Sequence, residues 1–363
     1  MIKLVSENNG IAIYELKNDH LRVRVMNLGA HLLSVFAKDR NGEAADVVLG
    51  LGDLSDYFRD GDKFGAVIGR VGNRIGGAQF DLNGTTYHLF RNNGKNTIHG
   101  GEEGFDKKLF SHEIIRGEAV RFIYRSPDGE EGFPGNLTLT VTYRLEADTL
   151  TIRYEAVSDQ DTLFNVTNHA YFNLAGVRPD DLSQPGGEDL YAAELRLREN
   201  ILGHKLKIDA DYVADCNEER LPTGRYLPVK DSAFDFREFR LIGEHINDDD
   251  ALLKMAKGYD AAFILNRQSV RESGAPRIVL LHPDSGRQLE ITTDLPTVQV
   301  YSGNWLGGAL PGKYGVTYRD YDGVALETEY LPDSIHVEDP SPAVLNAGEE
   351  FCSETSYRFT VIR

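Results

Sequence analysis

The sequence contains little cysteine and no long apolar run. Only Cys216 and Cys352 occur among 363 residues, whereas a secreted disulfide scaffold needs more cysteines at regular spacing. The N-terminal residues lack the uninterrupted apolar stretch of a signal peptide, and no later stretch has the ~18 apolar residues that a membrane-spanning helix requires. We therefore expect a soluble, cytoplasmic protein with two free thiols and no membrane partner.

Positive charge is also in deficit. The chain has 39 lysines and arginines against 57 aspartates and glutamates, which gives a formal net charge of −18. This excess of negative charge repels phosphate backbones and anionic lipids, so we expect no nucleic-acid partner. It suits a neutral substrate, although an ordinary acidic cytosolic protein would carry the same charge.

Helical periodicity is rare, and a period of two dominates. Apolar and polar residues alternate in residues 21–26 (LRVRVM), 137–145 (LTLTVTYRL) and 150–156 (LTIRYEA), which is typical of half-buried strands. In residues 80–87 an Asn-Gly pair separates two strand-like runs. Because Asn-Gly tolerates the positive φ angles of a type I′ turn, this segment is predicted to be a β-hairpin.

The best helix candidate is short. Residues 249–257 carry an apolar stripe, with Asp249 or Asp250 as the N-cap and Gly258 at the end. Residues 177–190, rich in proline and glycine, are predicted to form an exposed loop inside one domain. Many strands and few helices predict an all-β sandwich or barrel-like fold.

A glycine-rich segment, residues 65–77, raises the question of phosphate binding. Its spacing matches neither a dinucleotide-binding fingerprint nor a Walker A loop, so a closely packed strand and turn is the preferred interpretation. Asn73 and Arg74 lie in its middle. An amide beside a planar guanidinium suits hydroxyl groups held in a pocket.

Two histidines are candidates for proton transfer. His99 ends the polar run NNGKNTIHGG, and on that motif alone it is either a structural or exposed histidine or a functional one. His169 lies at the end of a β-type run in NVTNHAYFN. Histidine is the side chain best suited to exchange protons near neutral pH. The alternative for His169 is a core histidine that bonds Asn168 or Thr167, and local spacing leaves both open.

A pair of carboxylates is the last candidate. Glu327 and Glu329 in VALETEYLPD share one face of a strand by the period of two. If both were buried, each would raise the pKa of the other, which fits a general base. An exposed acidic strand is the preferred interpretation unless a polar pocket holds them.

Metal and covalent chemistry have weak support. The histidines lack the close spacing to other ligands that zinc or iron motifs show, and no nucleophile elbow or reactive-cysteine signature is present. We expect no metal ion and no cofactor.

Taken together and in order, these motifs resemble the aldose 1-epimerase (galactose mutarotase) family. From about residue 64 to residue 336 the matching stretches are GRVGNRI, NNGKNTIHGG, DGEEGFPGNLTLTVTYRL, NVTNHAYFNL, LPTG followed by AFDFR, GYDAAFIL, SGR before LEITTDLPTVQVYSGN, and LETEYLPDSIH. The C-terminal VLNAGEEFCSETSYRF resembles that family's closing strands.

The resemblance implies a single-domain antiparallel β-sandwich over residues 1–363, with few short helices and an open cleft. It implies a cofactor-free isomerase of carbohydrate metabolism, a mutarotase that interconverts the α and β anomers of free hexoses such as galactose and glucose. The partner would be a small monosaccharide, and we expect a monomer or a homodimer.

The resemblance also implies roles for individual residues. His169 matches the family's general acid and Glu327 its general base. The positions that match substrate contacts are Arg74, His99, Asp260 and Gln299, with the neighbouring Asn73 and Tyr171. Apart from the resemblance, an aromatic side chain such as Phe172 or Trp305 could pack on the apolar face of the sugar, although core packing is the preferred interpretation for both.

The reaction needs one acid and one base. The base removes the proton of the C1 hydroxyl while the acid protonates the ring oxygen, and reclosure from the other face uses the same pair with the roles reversed. Because a nearby carboxylate raises the pKa of a histidine, we expect His169 to be protonated beside an ionised Glu327.

The chain departs from the family's pattern at one position. The family usually has Leu-Glu-Thr-Gln where this chain has Leu-Glu-Thr-Glu, so Glu329 replaces an amide. An epimerase of hexose 6-phosphates would need a basic pocket, for which Arg70, Arg74 and Arg91 are available. A non-catalytic carbohydrate-binding module is the alternative from another functional class.

Overall fold

The computed structural model describes residues 1–177, 199–266, 275–338 and 343–363. Strands dominate these ranges. The strands of the first half are β1 (Ile2–Asn8), β2 (Ile11–Lys17), β3 (Arg22–Met26), β4 (Leu32–Lys38), β5 (Ala44–Val48), β6 (Val67–Ile68), β7 (Arg74–Ile75), β8 (Gln79–Leu82), β9 (Thr85–His88), β10 (Thr97–Ile98), β11 (Ser111–Ile115), β12 (Ala119–Ser126), β13 (Leu137–Glu146), β14 (Thr149–Ser158), β15 (Thr162–Leu163), β16 (Thr167–Asn168) and β17 (Tyr171–Val177).

The second half continues the same pattern. Its strands are β18 (Lys205–Ile208), β19 (Ala210–Cys216), β20 (Pro222–Pro228), β21 (Arg240–Leu241), β22 (Asp260–Leu265), β23 (Ile278–Leu281), β24 (Arg287–Thr293), β25 (Thr297–Tyr301), β26 (Val324–Glu329), β27 (Val344–Leu345) and β28 (Glu350–Val361). In the described ranges there is one α-helix, α1 (Ala251–Ala256), and the 3₁₀ turns are Leu54–Phe58, Gly76–Ala78, Phe105–Lys107, Glu130–Gly132, Ile201–Gly203, Leu306–Gly308 and Lys313–Gly315.

Two large sheets contain most of these strands. The first has the order β1-β2-β3-β4-β5-β17-β26-β25-β22-β19-β20, and the second has the order β11-β12-β13-β14-β28-β24-β23-β18-β21. The main apolar core contains side chains of both sheets, such as Val35 and Leu326 of the first and Val141 and Ile152 of the second. The predicted all-β, antiparallel sandwich is therefore confirmed, whereas the single domain over residues 1–363 stays a prediction.

The period of two explains why these segments are strands. Along β13 the residues Leu137, Leu139, Val141 and Tyr143 are buried, and the residues between them are partly exposed. Burying every second side chain of such a strand removes apolar surface from water, at about 25 cal/mol per Å². All three predicted alternating segments are strands, with bounds that differ by one or two residues from the expected ones.

The local turn signals are confirmed as well. Asn83 and Gly84 have φ angles of 53° and 79° and join the paired strands β8 and β9, as a type I′ turn requires. The glycine-rich residues 65–77 form two short strands and a 3₁₀ turn. The predicted loop at residues 177–190 lies outside the described residues except for Val177, the last residue of β17.

A buried arginine fixes the glycine-rich segment to its surroundings. Arg70 is 1% exposed, and its guanidinium donates hydrogen bonds to the carbonyl oxygens of Pro134 (2.6 Å) and Gly135 (3.1 Å) and to the hydroxyls of Ser126 (2.6 Å) and Thr162 (3.3 Å). Burial lowers the pKa of Arg70 to about 10. Its donors are thus directed at protein acceptors rather than at a ligand.

The two thiols and the helix content were also predicted from the sequence. Cys216 and Cys352 are both free, as expected. Within the described ranges no helix has the length and apolar character needed to span a bilayer. The cytoplasmic location and the monomeric or dimeric state stay predictions.

The N-cap of α1 provides a stability prediction. The carboxylate of Asp250 accepts hydrogen bonds from the backbone N–H groups of Leu252 (2.8 Å) and Leu253 (3.2 Å). We expect Asp250→Ala to lower the free energy of unfolding by about 1 kcal/mol, because these two donors lose their partner. Urea denaturation measures the change.

The neighbouring Asp249 offers a matched control. Its side chain is 90% exposed and pairs with Lys254 on the surface. Asp249→Ala should change stability by less than about 0.5 kcal/mol, since exposed ion pairs contribute little. An equal loss in both variants would contradict the assignment of Asp250 as the cap.

Candidate active site

An open cavity of about 510 Å³ lies on one face of the larger sheet. Its lining includes all eight side chains that the motif resemblance singled out: Asn73, Arg74, His99, His169, Tyr171, Asp260, Gln299 and Glu327. These residues are up to 254 positions apart in the sequence, between Asn73 and Glu327. The fold therefore brings the complete predicted set into one polar pocket.

Three central strands form the floor of this cavity. In the register of β25 and β26, Gln299 lies opposite Glu327, and in the register of β22 and β25, Asp260 lies opposite Tyr301. The side-chain amide of Gln299 donates to Oδ1 of Asp260 at 2.6 Å. Glu327, Gln299 and Asp260 thus form a polar row across neighbouring strands.

The turn between β16 and β17 places His169 beside this row. The backbone N–H of His169 donates to the carbonyl of Ala66 at 2.8 Å, and its carbonyl accepts from the N–H of Gly65 at 2.9 Å. Nε2 of His169 lies 3.5 Å from Oε1 of Glu327. The turn is thereby fixed on the glycine-rich segment, and the imidazole is held against the carboxyl group.

Each member of this pair has a polar atom without a protein partner. Nδ1 of His169 and Oε2 of Glu327 are buried and make no hydrogen bond to another described residue. Leaving such atoms unpaired is costly, by about 1–3 kcal/mol each. Buried, unpaired polar atoms in a cavity are available to hydrogen-bond a bound molecule.

Burial determines the protonation of the pair. It lowers the pKa of His169 to about 4. Burial, followed by the like charge of Glu329, raises the pKa of Glu327 well above its ordinary value. Both shifts favour the uncharged forms of the two groups. The expectation of a raised His169 pKa was wrong, because burial disfavours the charged imidazolium.

Glu329 lies directly behind the base candidate. It is 0% exposed, and its two oxygens accept hydrogen bonds from the side-chain amides of Asn73 and Asn165, both at 3.4 Å. Burial raises its pKa to about 8. The preferred interpretation of an exposed acidic strand was wrong for both glutamates, because packing of β26 in the middle of a sheet cannot be read from its local pattern.

The short strand pair of β7 and β10 places Arg74, in β7, close to His99, which follows β10. The N–H of Asn73 donates to Nδ1 of His99 at 3.2 Å, and the N–H of His99 donates to the carbonyl of Asn73 at 3.0 Å. Nε of Arg74 donates to Oδ1 of Asn93 at 3.1 Å. Asn73 and His99 both have positive φ angles, 57° and 53°, a conformation that non-glycine residues seldom adopt and that is frequent at functional sites.

The aromatic candidates have different environments. Tyr171 lines the cavity, with its ring centroid 4.9 Å from that of His169. Phe172 is 1% exposed and belongs to the main core, as preferred. Trp305 lines the cavity, so core packing was the wrong interpretation for this residue.

Sequence reasoning missed several cavity residues. Tyr301 and Arg220 also line the pocket, and Arg220 donates to Oδ2 of Asp260 at 3.3 Å. Tyr301 lies two positions after Gln299 on β25, which the period of two could have indicated. No local signal marks Arg220, because its place over the pocket follows from a turn between β19 and β20.

The described residues offer one group that could hold a metal ion, Glu199, His282 and Asp284. None of the three lines the cavity, and both carboxylates are exposed. The cavity itself is equipped for proton transfer and for hydrogen bonding to hydroxyl groups.

Comparison with known proteins gives a consistent result. The sequence model described as aldose 1-epimerase matches residues 12–358. Galactose mutarotase of Mus musculus is 38% identical over 359 residues, covering 99% of this chain and 97% of the relative. Aldose 1-epimerase of Escherichia coli (strain K12) is 37% identical over 346 residues, covering 94% and 93%.

Solved structures agree with the sequence relatives. An aldose epimerase homologue from C. elegans superimposes with a TM-score of 0.82 at 26% identity, covering 96% of this chain and 98% of that one. Galactose 1-epimerase from Lactobacillus acidophilus NCFM gives a TM-score of 0.80 at 27% identity, covering 100% and 99%.

The raised pKa of Glu329 predicts a pH-dependent stability. An unfolded glutamate loses its proton near pH ~4.3, whereas folded Glu329 keeps it up to about pH 8. Between these values the folded state binds more protons, so stability falls as pH rises, by at most about 1.4 kcal/mol per pH unit from this group. We expect Glu329→Gln to flatten the decline in the free energy of unfolding between pH 5 and pH 8.

Urea denaturation at both pH values measures this difference. Glu118→Gln, which removes one exposed carboxylate, is the matched control and should leave the decline as in the unmodified protein. A decline equally steep with and without Glu329 would show that this carboxyl group does not hold a proton in the folded state.

Proposed function

Because the chain belongs to the aldose 1-epimerase family of isomerases, we propose that it interconverts the α and β anomers of free hexoses such as galactose and glucose. We further propose Glu327 as the general base and His169 as the general acid. The observation that carries the assignment is their mutual position: Nε2 and Oε1 are 3.5 Å apart on the cavity floor, and each group has one unpaired polar atom.

The chemistry follows from one shared proton. With the proton on His169, the carboxylate of Glu327 takes the proton of the C1 hydroxyl while the imidazolium protonates the ring oxygen, and the bond between C1 and the ring oxygen breaks. The aldehyde then turns about the bond between C1 and C2. Reclosure from the other face returns both protons, so the pair again carries one.

The uncharged forms that burial favours do not conflict with these roles. A protonated Glu327 beside neutral His169 has the same number of protons as an ionised Glu327 beside imidazolium. The active form is the pair with one proton. It is lost at high pH when the pair releases that proton, which the raised pKa of Glu327 governs, and at low pH when His169 binds a second, near pH 4.

The remaining predicted residues provide partners for hydroxyl groups. We propose that Arg74 and His99 donate to sugar oxygens and stabilise negative charge as the ring opens. Asp260 accepts from a hydroxyl group, and Gln299 fixes the orientation of its carboxylate. Asn73 and Tyr171 hold the neighbouring side chains in place, since Asn73 contacts both His99 and Glu329 and Tyr171 packs on His169.

The two alternatives have less support. Of the three arginines available for a 6-phosphate pocket, Arg70 is buried and hydrogen-bonded away from the cavity, and Arg91 is not among the lining residues. Of these three, only Arg74 lines the cavity, and its Nε is engaged by Asn93. Arg220, which also lines the cavity, is paired with the carboxylate of Asp260. A non-catalytic module is not supported by the relatives. They match nearly the whole chain, and they are named galactose mutarotase and aldose 1-epimerase, which are isomerases.

The proton-transfer pair provides the first test. Glu327→Gln and His169→Asn each remove a proton-transfer group while keeping the polar shape, so we expect the mutarotation rate to fall by about 10²–10⁴-fold in each variant. Polarimetry of freshly dissolved α-glucose and α-galactose measures the rate. Unfolding curves should show that both variants fold.

Two surface substitutions serve as controls. Glu118→Gln and His245→Asn lie away from the cavity and should leave the rate unchanged. A variant of Glu327 or His169 that retains more than about one tenth of the rate would overturn its assigned role. Failure of the unmodified protein to accelerate mutarotation of any aldose would overturn the proposed function itself.

The buried Glu329 predicts the direction of a pH effect. Its negative charge above about pH 8 raises the pKa of Glu327, so Glu329→Gln should lower that pKa. We expect the alkaline limb of kcat/KM for mutarotation to move to lower pH in this variant. An unmoved limb, with Glu118→Gln as the control, would mean that Glu329 does not influence the base.

A further inference from the structure

The cavity rim contains a stacked pair that no motif assigned a role. The guanidinium carbon of Arg220 lies 4.5 Å from the centre of the Trp305 ring, within the range of a cation–π contact. Both side chains line the cavity, and the side chain of Arg220 is 28% exposed. The pair is therefore placed where it can contact a bound molecule.

The backbone on each side holds this pair in position. Residues 217–221 form a turn in which Asn217 accepts hydrogen bonds from the N–H groups of Arg220 and Leu221, with its carbonyl and side-chain oxygens, respectively. Arg220 has a positive φ of 60° there. Neighbouring Glu219 pairs with Lys95 at 2.7 Å, which joins the turn to the loop between β9 and β10.

Trp305, on which the guanidinium lies, is also held in position. The side-chain amide of Asn304, next to Trp305, donates to the carbonyls of Ala256 (2.8 Å) and Tyr259 (3.0 Å). The ring of Trp305 is stacked with that of Tyr301 at 6.3 Å and 22°. A guanidinium lying on a fixed indole loses little further freedom when it binds a ligand.

Arg220 and Asp260 together form an incomplete hydrogen-bonding site. Oδ2 of Asp260 accepts from Arg220 at 3.3 Å and Oδ1 accepts from Gln299 at 2.6 Å, and each carboxylate oxygen can accept a second bond. Within the described part of the chain the guanidinium of Arg220 donates only to Asp260. The other four of its five N–H donors make no hydrogen bond to these residues and can bind a ligand.

We propose that Arg220 is a specificity-determining residue that, together with Asp260, recognises one sugar hydroxyl by hydrogen bonds. Asp260 accepts the hydrogen of that hydroxyl, and Arg220 donates to its oxygen, while Trp305 holds the guanidinium flat. This inference rests on the proposed function for its substrate class, free hexoses. A sugar without that hydroxyl leaves a donor and an acceptor unpaired, which is the strongest form of discrimination available to a hydrogen-bonding pocket.

The fluorescence of Trp305 can report ligand binding in a test of this inference. Trp305 is the only tryptophan of the chain, so the whole tryptophan emission comes from the cavity rim. Titration with galactose, glucose and their 2-, 3-, 4- and 6-deoxy analogues at anomeric equilibrium gives dissociation constants that do not depend on turnover. The same titrations on Arg220→Met complete a double-mutant cycle at each position, because methionine keeps the apolar stem and removes every donor.

We expect Arg220→Met to weaken binding of the preferred hexose about ten- to hundredfold, the range for a hydrogen bond to a charged group. For one deoxy analogue the two proteins should bind within about twofold, since the hydroxyl that Arg220 contacts is already missing. Arg225→Met is the matched control. Arg225 also pairs with an aspartate, Asp215, but its side chain is 75% exposed and it does not line the cavity.

Kinetics separate a contact from a structural role. Because this hydroxyl neither gains nor loses a bond in the reaction, we expect its contact to be equal in ground and transition states. Arg220→Met should then raise KM by the same factor as Kd and change kcat less than about threefold. If Arg220→Met weakened the binding of every analogue by the same factor, or weakened the binding of none, the inference would be overturned. Binding with position-specific discrimination but no mutarotation in the unmodified protein would instead overturn the proposed function and leave the role of Arg220 supported.

Discussion

The burial of two carboxyl groups on one face of β26 is the constraint on which the site depends. Glu327 and Glu329 lie in the middle of an eleven-stranded sheet, where ionising both would place like charges in a medium of low polarity. The protein keeps them by two means. Amide donors from Asn73 and Asn165 satisfy Glu329, and Glu327 lies against the imidazole of His169 where the cavity opens.

The surrounding fold converts this constraint into a fixed geometry. Strand register sets Gln299 opposite Glu327, and the backbone of His169 is bound to the glycine-rich segment that Arg70 in turn fixes by its guanidinium. The proximity of His169 and Glu327 is thus a property of the sheet and of a buried cation. Such preorganisation keeps the entropy of positioning out of the chemical step.

Much of the fold was predictable from local pattern, and the site was predictable only from the ensemble of motifs. Alternation, an Asn-Gly turn and an aspartate before an apolar stripe identify strands, hairpin and helix, because each depends on neighbours in sequence. The burial of Glu327 and Glu329 was not predictable in this way, since it depends on which strands flank β26. The same holds for Arg220, whose contacts with Asp260 and Trp305 join residues up to 85 positions apart.

The pocket has a floor in the sheet and a rim that includes the turn at residues 217–221, and the two can change independently in sequence. The floor is embedded in the sheet, so nearly any substitution there disturbs packing or a buried charge. The turn is a surface element fastened mainly by its own asparagine and by one exposed ion pair. An enzyme built this way can acquire new sugar preferences through its rim while its proton-transfer chemistry is inherited unaltered, which separates the evolution of what is recognised from the evolution of what is done.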